Sequence, residues 1–157
     1  MKAVVQRVSN ASVSVDGKTT GQIGFGLLVY IGIAVDDDDS DVDWLVDKVT
    51  HLRIFDDAEG KMNLSLIDIV NDTPNSPLST TGILAISQFT LLGDARKGRR
   101  PSWSNAAPPE KAQGLYDCFA EKIRKQGLLC ECGVFQARMK VSSINEGPVT
   151  ILLDSKG

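Results

Sequence analysis

The chain has 157 residues, 42% of them hydrophobic, and a formal net charge of −3. That length suits one domain with a real core, the composition excludes a disordered chain, and the charge excludes indiscriminate nucleic-acid binding while leaving room for a local basic patch. No apolar run reaches the ~18–20 residues of a membrane span, and residues 1–7 lack the apolar core of a signal peptide, so a cytoplasmic location is the default.

Residues 4–8 and 11–15 read as two strands joined by a turn at Ser9-Asn10. In the second, Ala11, Val13 and Val15 share one face, and Ser12 and Ser14 the other. Asp16-Gly17 signals a hairpin into residues 18–23. Residues 26–33 are almost wholly apolar, as in a central strand buried on both faces. Val42, Leu45, Val46 and Val49 have the spacing of a helix, capped by Ser40 or Asp41 and ending near Arg53. The acidic run Asp36-Asp37-Asp38-Asp39, with Asp41 and Asp43, reads as a solvated loop whose carboxylates complement the helix dipole; calcium-loop spacing is absent. His51, the sole histidine, falls late in this helix, as a surface residue or dipole partner. Residues 57–61 read as a turn, 64–70 as holding a short strand, and 71–81 as an exposed loop.

Residues 82–92 form the next strong strand pattern. Polar groups enter only in its C-terminal part, at Ser87, Gln88 and Thr90. The loop 93–107 carries Arg96-Lys97-Gly98-Arg99-Arg100 and Trp103. A second helix begins after Pro108-Pro109, buries Ala112, Leu115, Tyr116, Phe119 and Ile123, and ends at Gly127. Residues 128–132, 139–144 and 149–154 close the chain as strands. Between the last two, Asn145-Glu146-Gly147-Pro148 has the chemistry of a hairpin turn. Gly147-Pro148 is also the bond best suited to a cis peptide, and Gly147, with no Cβ, lets a ligand approach the backbone. Sequential hairpins without regular βαβ alternation predict an α+β fold: a mixed, mostly antiparallel sheet packed with two main helices, spanning residues 1–157 as one domain.

The chemistry open to this chain is narrow. A Ser-His-Asp or Cys-His arrangement needs a base beside the nucleophile, and a single histidine on a helix serves poorly. No Walker or Rossmann glycine loop and no His/Cys cluster appears, so no metal and no cofactor is expected. Cys118, Cys130 and Cys132 read as free thiols. An enzyme built from these residues acts on an already activated bond, using backbone dipoles, hydroxyls and the substrate's own groups. Ser87 and Thr90 are its hydroxyl candidates.

Four segments together point to a family. Gln6-Arg7-Val8, Ser87-Gln88-Phe89-Thr90-Leu91, Arg96-Lys97-Gly98-Arg99-Arg100-Pro101 and Asn145-Glu146-Gly147-Pro148-Val149-Thr150 closely resemble D-aminoacyl-tRNA deacylases over nearly the whole chain. The chain departs from the family at Glu146, where Asp is common, at Gln136, where Gly is usual, and in a slightly extended stretch at 71–81. The resemblance implies a homodimer that hydrolyses the ester between a D-amino acid, or glycine, and the 3′-terminal adenosine of tRNA. It implies that Gly147 and Pro148 form a cis bond reaching into the partner's active site and offer carbonyls to the substrate's α-ammonium, excluding L side chains. Arg7 would brace that motif. Ser87, Gln88, Phe89 and Thr90 would surround the ester and adenosine, with Ala112 and Phe135 lining the pocket. Arg96, Lys97, Arg99 and Arg100 would grip tRNA phosphates. Two alternatives stand beside this reading: a tRNA-binding module, and a deacylase acting on an L-aminoacyl-tRNA.

Overall fold

A computed structural model describes residues 1–72 and 80–157. The first strand, β1 (Lys2–Val15), is continuous where the sequence predicts two strands and a turn. Three neighbours explain this. The N-terminal half of β1 pairs antiparallel with β3 (Gly26–Gly32), and its C-terminal half with β2 (Lys18–Ile23). On its other side β8 (Met139–Asp154) runs antiparallel along its whole length, from Asp154 opposite Lys2 to Met139 opposite Val15. Ser9-Asn10 lie where β1 passes from one partner to the other, at a register shift against β8. The polar pair therefore marks a bend, because pairing with β8 satisfies backbone groups on either side of it. The Asp16-Gly17 hairpin forms as predicted, with positive φ at both residues, 49° and 79°.

β3 continues parallel to β6 (Gly82–Ser87), and β6 parallel to β7 (Leu129–Cys132), giving a mixed sheet of six strands. Both faces of its centre are buried. On one face Val5, Leu27, Val29, Ile31, Ile83 and Ala85 pack beneath two long helices. On the other, Val8, Val13, Ile23, Leu28, Leu84 and Ile86 pack together, flanked by Met139 and Val141. This is why residues 26–32 and 82–86 carry almost no polar side chains.

The helix α1 (Asp39–His51) begins earlier than expected, with Asp38 as its cap. Asp38 Oδ1 accepts from Ser40 N at 2.9 Å, and Asp41 Oδ2 accepts from Asp38 N at 2.9 Å, a reciprocal capping box. The acidic run is not simply a solvated loop either, since Asp37 and Asp41 are buried. Asp37 accepts from the Met1 ammonium at 2.7 Å, and Asp41 from Ser155 Oγ at 2.5 Å and Lys156 Nζ at 2.9 Å. Burial alone would raise the Asp41 carboxyl. The hydrogen bonds from Ser155, Lys156 and the Asp38 amide outweigh it and hold the group well below the usual carboxylate range.

β4 (Phe55–Asp56) pairs antiparallel with β5 (Met62–Leu64). Beyond Leu64 the short strand predicted for 64–70 gives way to a helix, α2 (Leu66–Asp72), so the described residues hold three α-helices where two main ones are expected. Ser65 N donates to Asp68 Oδ2 at 2.9 Å and Asp68 N to Ser65 Oγ at 3.3 Å, a reciprocal pair that caps the N-terminus of the new helix. The loop expected at 71–81 starts inside α2, and residues 73–79 of it lie outside the described residues. The last helix, α3 (Pro109–Lys125), starts at its proline and ends before Gly127, whose φ is +80°. Among the described residues no helix is long and apolar enough to cross a membrane.

Candidate active site

The strand predicted for 82–92 stops at Ser87, and this stop creates the site. Gln88 N still donates to Ile31 O at 2.7 Å, but at φ −144° and ψ 81° the chain leaves the sheet and winds into a 3₁₀ turn, Phe89–Leu92. Strand alternation ends there. Leu92 turns inward and is buried, whereas Phe89 is 56% exposed. The Phe89 ring meets Trp103 edge-to-face, with centroids 5.7 Å apart. Gln88 Nε2 donates to Thr90 Oγ1 at 2.5 Å.

A cleft of about 800 Å³ opens beside this turn. Ser87, Gln88 and Phe89 form one side, Ala112 of α3 another, and Phe135 a third, so five of the predicted site residues converge. Ile31, Ile86, Met139 and Val141 supply an apolar floor that the motifs alone do not reveal. The segment between β7 and β8 completes the rim with Gln136 and Ala137. Gln136 sits at φ +61°, a left-handed position that favours glycine. Thr90 does not line the cleft. Neither hydroxyl has histidine for a base: His51 Nδ1 lies 3.0 Å from Asp47 O and 3.1 Å from Thr50 Oγ1, within α1.

Behind the cleft, Tyr116 donates to Ala85 O at 2.7 Å, and its ring lies 6.3 Å from that of Phe135. All three cysteines are free. A hydrogen bond from Cys130 and the guanidinium of Arg124, 3.4 Å from its Sγ, lower the Cys132 thiol below its ordinary range. Tyr116 adds little to this, because its one proton is committed to Ala85 O. The thiols do not line the cleft.

The second predicted segment is built differently. Residues 139–154 do not form a hairpin; both halves pair with β1 as one strand, β8. Asn145 stands opposite Val8 and Thr150 opposite Gln6, so Glu146, Gly147, Pro148 and Val149 bulge out against the single residue Arg7. Arg7 braces the bulge. Its Nε donates to Glu146 O at 3.3 Å, and its Nη1 to Ile54 O at 2.7 Å and Asp56 Oδ1 at 3.3 Å. Asn145 Nδ2 closes the far side by donating to Val149 O at 3.2 Å. The Gly147-Pro148 peptide is cis. Gly147 has φ +115°, and a Cβ there would lie 3.0 Å from Arg7 Nη2 and from Val149 Cγ2. Arg7, Gly147 and Pro148 take no part in lining the cleft of their own chain.

The basic run sits on a loop closed by Asp94 and Ser102, which exchange backbone hydrogen bonds of 2.8 and 2.9 Å. Arg96 folds back onto Asp94, with Nε 2.9 Å from Oδ1 and Nη2 2.6 Å from Oδ2. These hydrogen bonds hold the Asp94 carboxyl far below its ordinary range. Lys97, Arg99 and Arg100 are exposed. Among the described residues none of them makes an ion pair. Arg96 is thus already neutralised, and three cations remain for an external anion. No group of three or more His, Cys, Asp or Glu that could hold a metal occurs among the described residues.

Comparison with known proteins adds to this geometry. The family model described as D-Tyr-tRNA(Tyr) deacylase matches residues 4–154. A D-aminoacyl-tRNA deacylase of Thermosipho melanesiensis is 55% identical over 157 residues, covering 99% of this chain and 98% of the relative. The solved structure of a c-Myc DNA Unwinding Element Binding Protein superposes with a TM-score of 0.86 at 40% identity, covering 98% of each chain. A second, that of a probable eukaryotic D-amino acid tRNA deacylase, has a TM-score of 0.78 at 21% identity over 97% of each chain, a likeness of fold alone.

Proposed function

Because this chain belongs to the D-Tyr-tRNA(Tyr) deacylase family, we propose that it hydrolyses the ester of D-aminoacyl-tRNA, releasing a free D-amino acid and tRNA. The observation that carries the reading is the cleft where Ser87, Gln88 and Phe89 meet Ala112 and Phe135. Its volume of about 800 Å³ lies within the range of small-ligand pockets, and its lining is mainly apolar with a few polar side chains, Ser87, Gln88 and Gln136. An aminoacyl ester is activated before it binds. Positioning and backbone donors at the Ser87–Thr90 turn then carry much of the rate, with the ribose 2′-OH as a group the substrate itself supplies. No cofactor enters this scheme. The whole stretch 1–157 acts as one domain, in the cytoplasm where charged tRNA is used.

Chirality is assigned to the Gly147-Pro148 bulge of a second copy. Its carbonyls take the α-ammonium, its backbone blocks an L side chain, and glycine passes along with D residues. What supports a homodimer is β8, which pairs with β1 on one side and leaves Ile144 57% and Leu152 77% exposed. Arg7, Gly147 and Pro148 do not line the cleft of their own chain. Lys97, Arg99 and Arg100 contact tRNA phosphates.

A binding module without catalysis is the second reading, favoured by the likeness at 40% identity to a protein whose name is that of a DNA-element binder. Hydrolysis of D-tyrosyl-, L-tyrosyl- and glycyl-tRNA decides between them. The proposal expects release from the D and glycyl substrates and none from the L substrate. Binding without release establishes the module, and release of L-tyrosine establishes a changed specificity.

A further inference from the structure

Trp103 has no role in the site described so far, yet it is 40% exposed and packs against Phe89 at the mouth of the cleft. Phe89 lines the cleft; Trp103 does not, and so stands one step outside it. Its indole lies against Gly93, where a Cβ would meet Nε1 at 3.2 Å, and it follows Ser102, whose backbone closes the loop bearing Lys97, Arg99 and Arg100. Both rings keep exposed surface beyond their mutual contact, 56% for Phe89 and 40% for Trp103. Exposed aromatic faces beside unpaired cations form the usual platform for single-stranded nucleic acid, with bases on the rings and phosphates on the cations.

We propose that Trp103 stacks on the base of the penultimate nucleotide of the tRNA 3′ end, next to the terminal adenosine held by the cleft. This rests on the deacylase reading for the placement of the terminal adenosine. Phe89 adjoins the cleft, Trp103 adjoins Phe89, and Ser102, next to Trp103 in the chain, closes the basic loop. A single strand leaving the cleft passes these in turn, so Trp103 is a positioning residue that fixes the path of the 3′ end before its phosphates reach the loop. Its contribution is independent of the amino acid carried.

The test compares D-tyrosyl-tRNA with D-tyrosyl-adenosine, which has no penultimate base. Trp103→Ala is expected to lower kcat/KM on the tRNA by roughly 5- to 150-fold, the range for loss of one base–aromatic stack. That loss exceeds the loss on D-tyrosyl-adenosine at least fivefold, and Trp103→Phe recovers most of it. A second measurement needs no catalysis. In a Trp44→Phe background Trp103 is the only indole, and the trinucleotide CCA quenches its fluorescence where adenosine alone does not. Equal losses on both substrates, or failure of Trp103→Phe to recover, would mean that Trp103 only supports Phe89 and would overturn the proposal. If the wild-type protein hydrolyses neither substrate, the deacylase reading fails, and quenching by CCA alone decides whether Trp103 takes a base.

Discussion

The cleft beside Phe89 and the bulge at Gly147 are opposite constructions. The cleft is made of side chains, mainly apolar, set on a buried floor where β6 stops. The bulge is made of backbone, exposed, and held from behind by one arginine. A side-chain cleft is tolerant, since rotamers yield to a ligand. A braced backbone does not yield, and so is suited to excluding one enantiomer. The cleft encloses a volume, and the bulge presents a braced backbone that does not line it. On the proposed function the two halves meet only when a second copy is present.

The largest expected effect breaks the bulge. In Gly147→Val the new side chain would crowd Arg7 Nη2 and Val149 Cγ2 and project where the substrate is proposed to lie. Turnover of D-tyrosyl-tRNA should fall on the order of 10²–10³-fold or more. A cooperative thermal unfolding transition checks that the fold survives the φ of +115°. Mixed dimers then locate the effect. A chain carrying Gly147→Val is combined with one carrying Phe89→Ala. If the wall serves the partner's cleft, one of the two sites holds both lesions and the other neither, and activity returns. Verified heterodimers without activity would assign the bulge to its own chain.

The same contrast governs how much the sequence reveals. β3, the Asp16-Gly17 hairpin, α3 and the mixed sheet are legible because periodicity and turn chemistry agree with the final packing. Ser9-Asn10 and Asn145–Pro148 read as turns because local chemistry cannot show that β1 and β8, far apart in sequence, pair along their full lengths. The stop at Ser87 is hidden by the apolar Phe89, Leu91 and Leu92, which continue the strand pattern by composition while the backbone leaves the sheet. α2 carried a usable signal, the Ser65–Asp68 capping pair, which outranks the apolar run after it. At the site, the motif residues were legible, but the floor formed by Ile31, Ile86, Met139 and Val141 was not, since it depends on which strands become neighbours.

An intermediate effect concerns the basic loop, which serves the cleft only by holding its ligand. Replacing Lys97, Arg99 and Arg100 with alanine should weaken tRNA binding and reduce the slope of log K against log salt by roughly 2–3, at about 0.7–0.9 per phosphate contact. Selectivity for D over L should stay the same, because phosphate contacts carry no information about the amino acid. Arg96 sharpens the test. Removing it together with Asp94 deletes an internally neutral pair, so the double alanine variant should leave the slope nearly unchanged. A slope that ignores the triple variant would mark the loop as a solvated surface.

The smallest expected effect concerns the hydroxyls of the cleft turn. Ser87→Ala and Thr90→Val should each retain activity within about tenfold of wild type, in contrast to the roughly 10⁵-fold or greater loss when a true nucleophile is removed. The geometry gives the reason. A nucleophilic hydroxyl needs a base to take its proton, and the neighbour of Thr90 is the Gln88 amide, which donates to it. Thr90 also stays outside the cleft lining, and His51 is engaged within α1. The Gln88–Thr90 contact holds the amide side chain in place, so Thr90→Val is expected to cost somewhat more than Ser87→Ala. Single-turnover hydrolysis of D-tyrosyl-tRNA at saturating enzyme separates chemistry from binding. A rate constant reduced roughly 10⁵-fold in Thr90→Val, with binding and folding intact, would make Thr90 the nucleophile and place the chemistry at the turn beside the cleft.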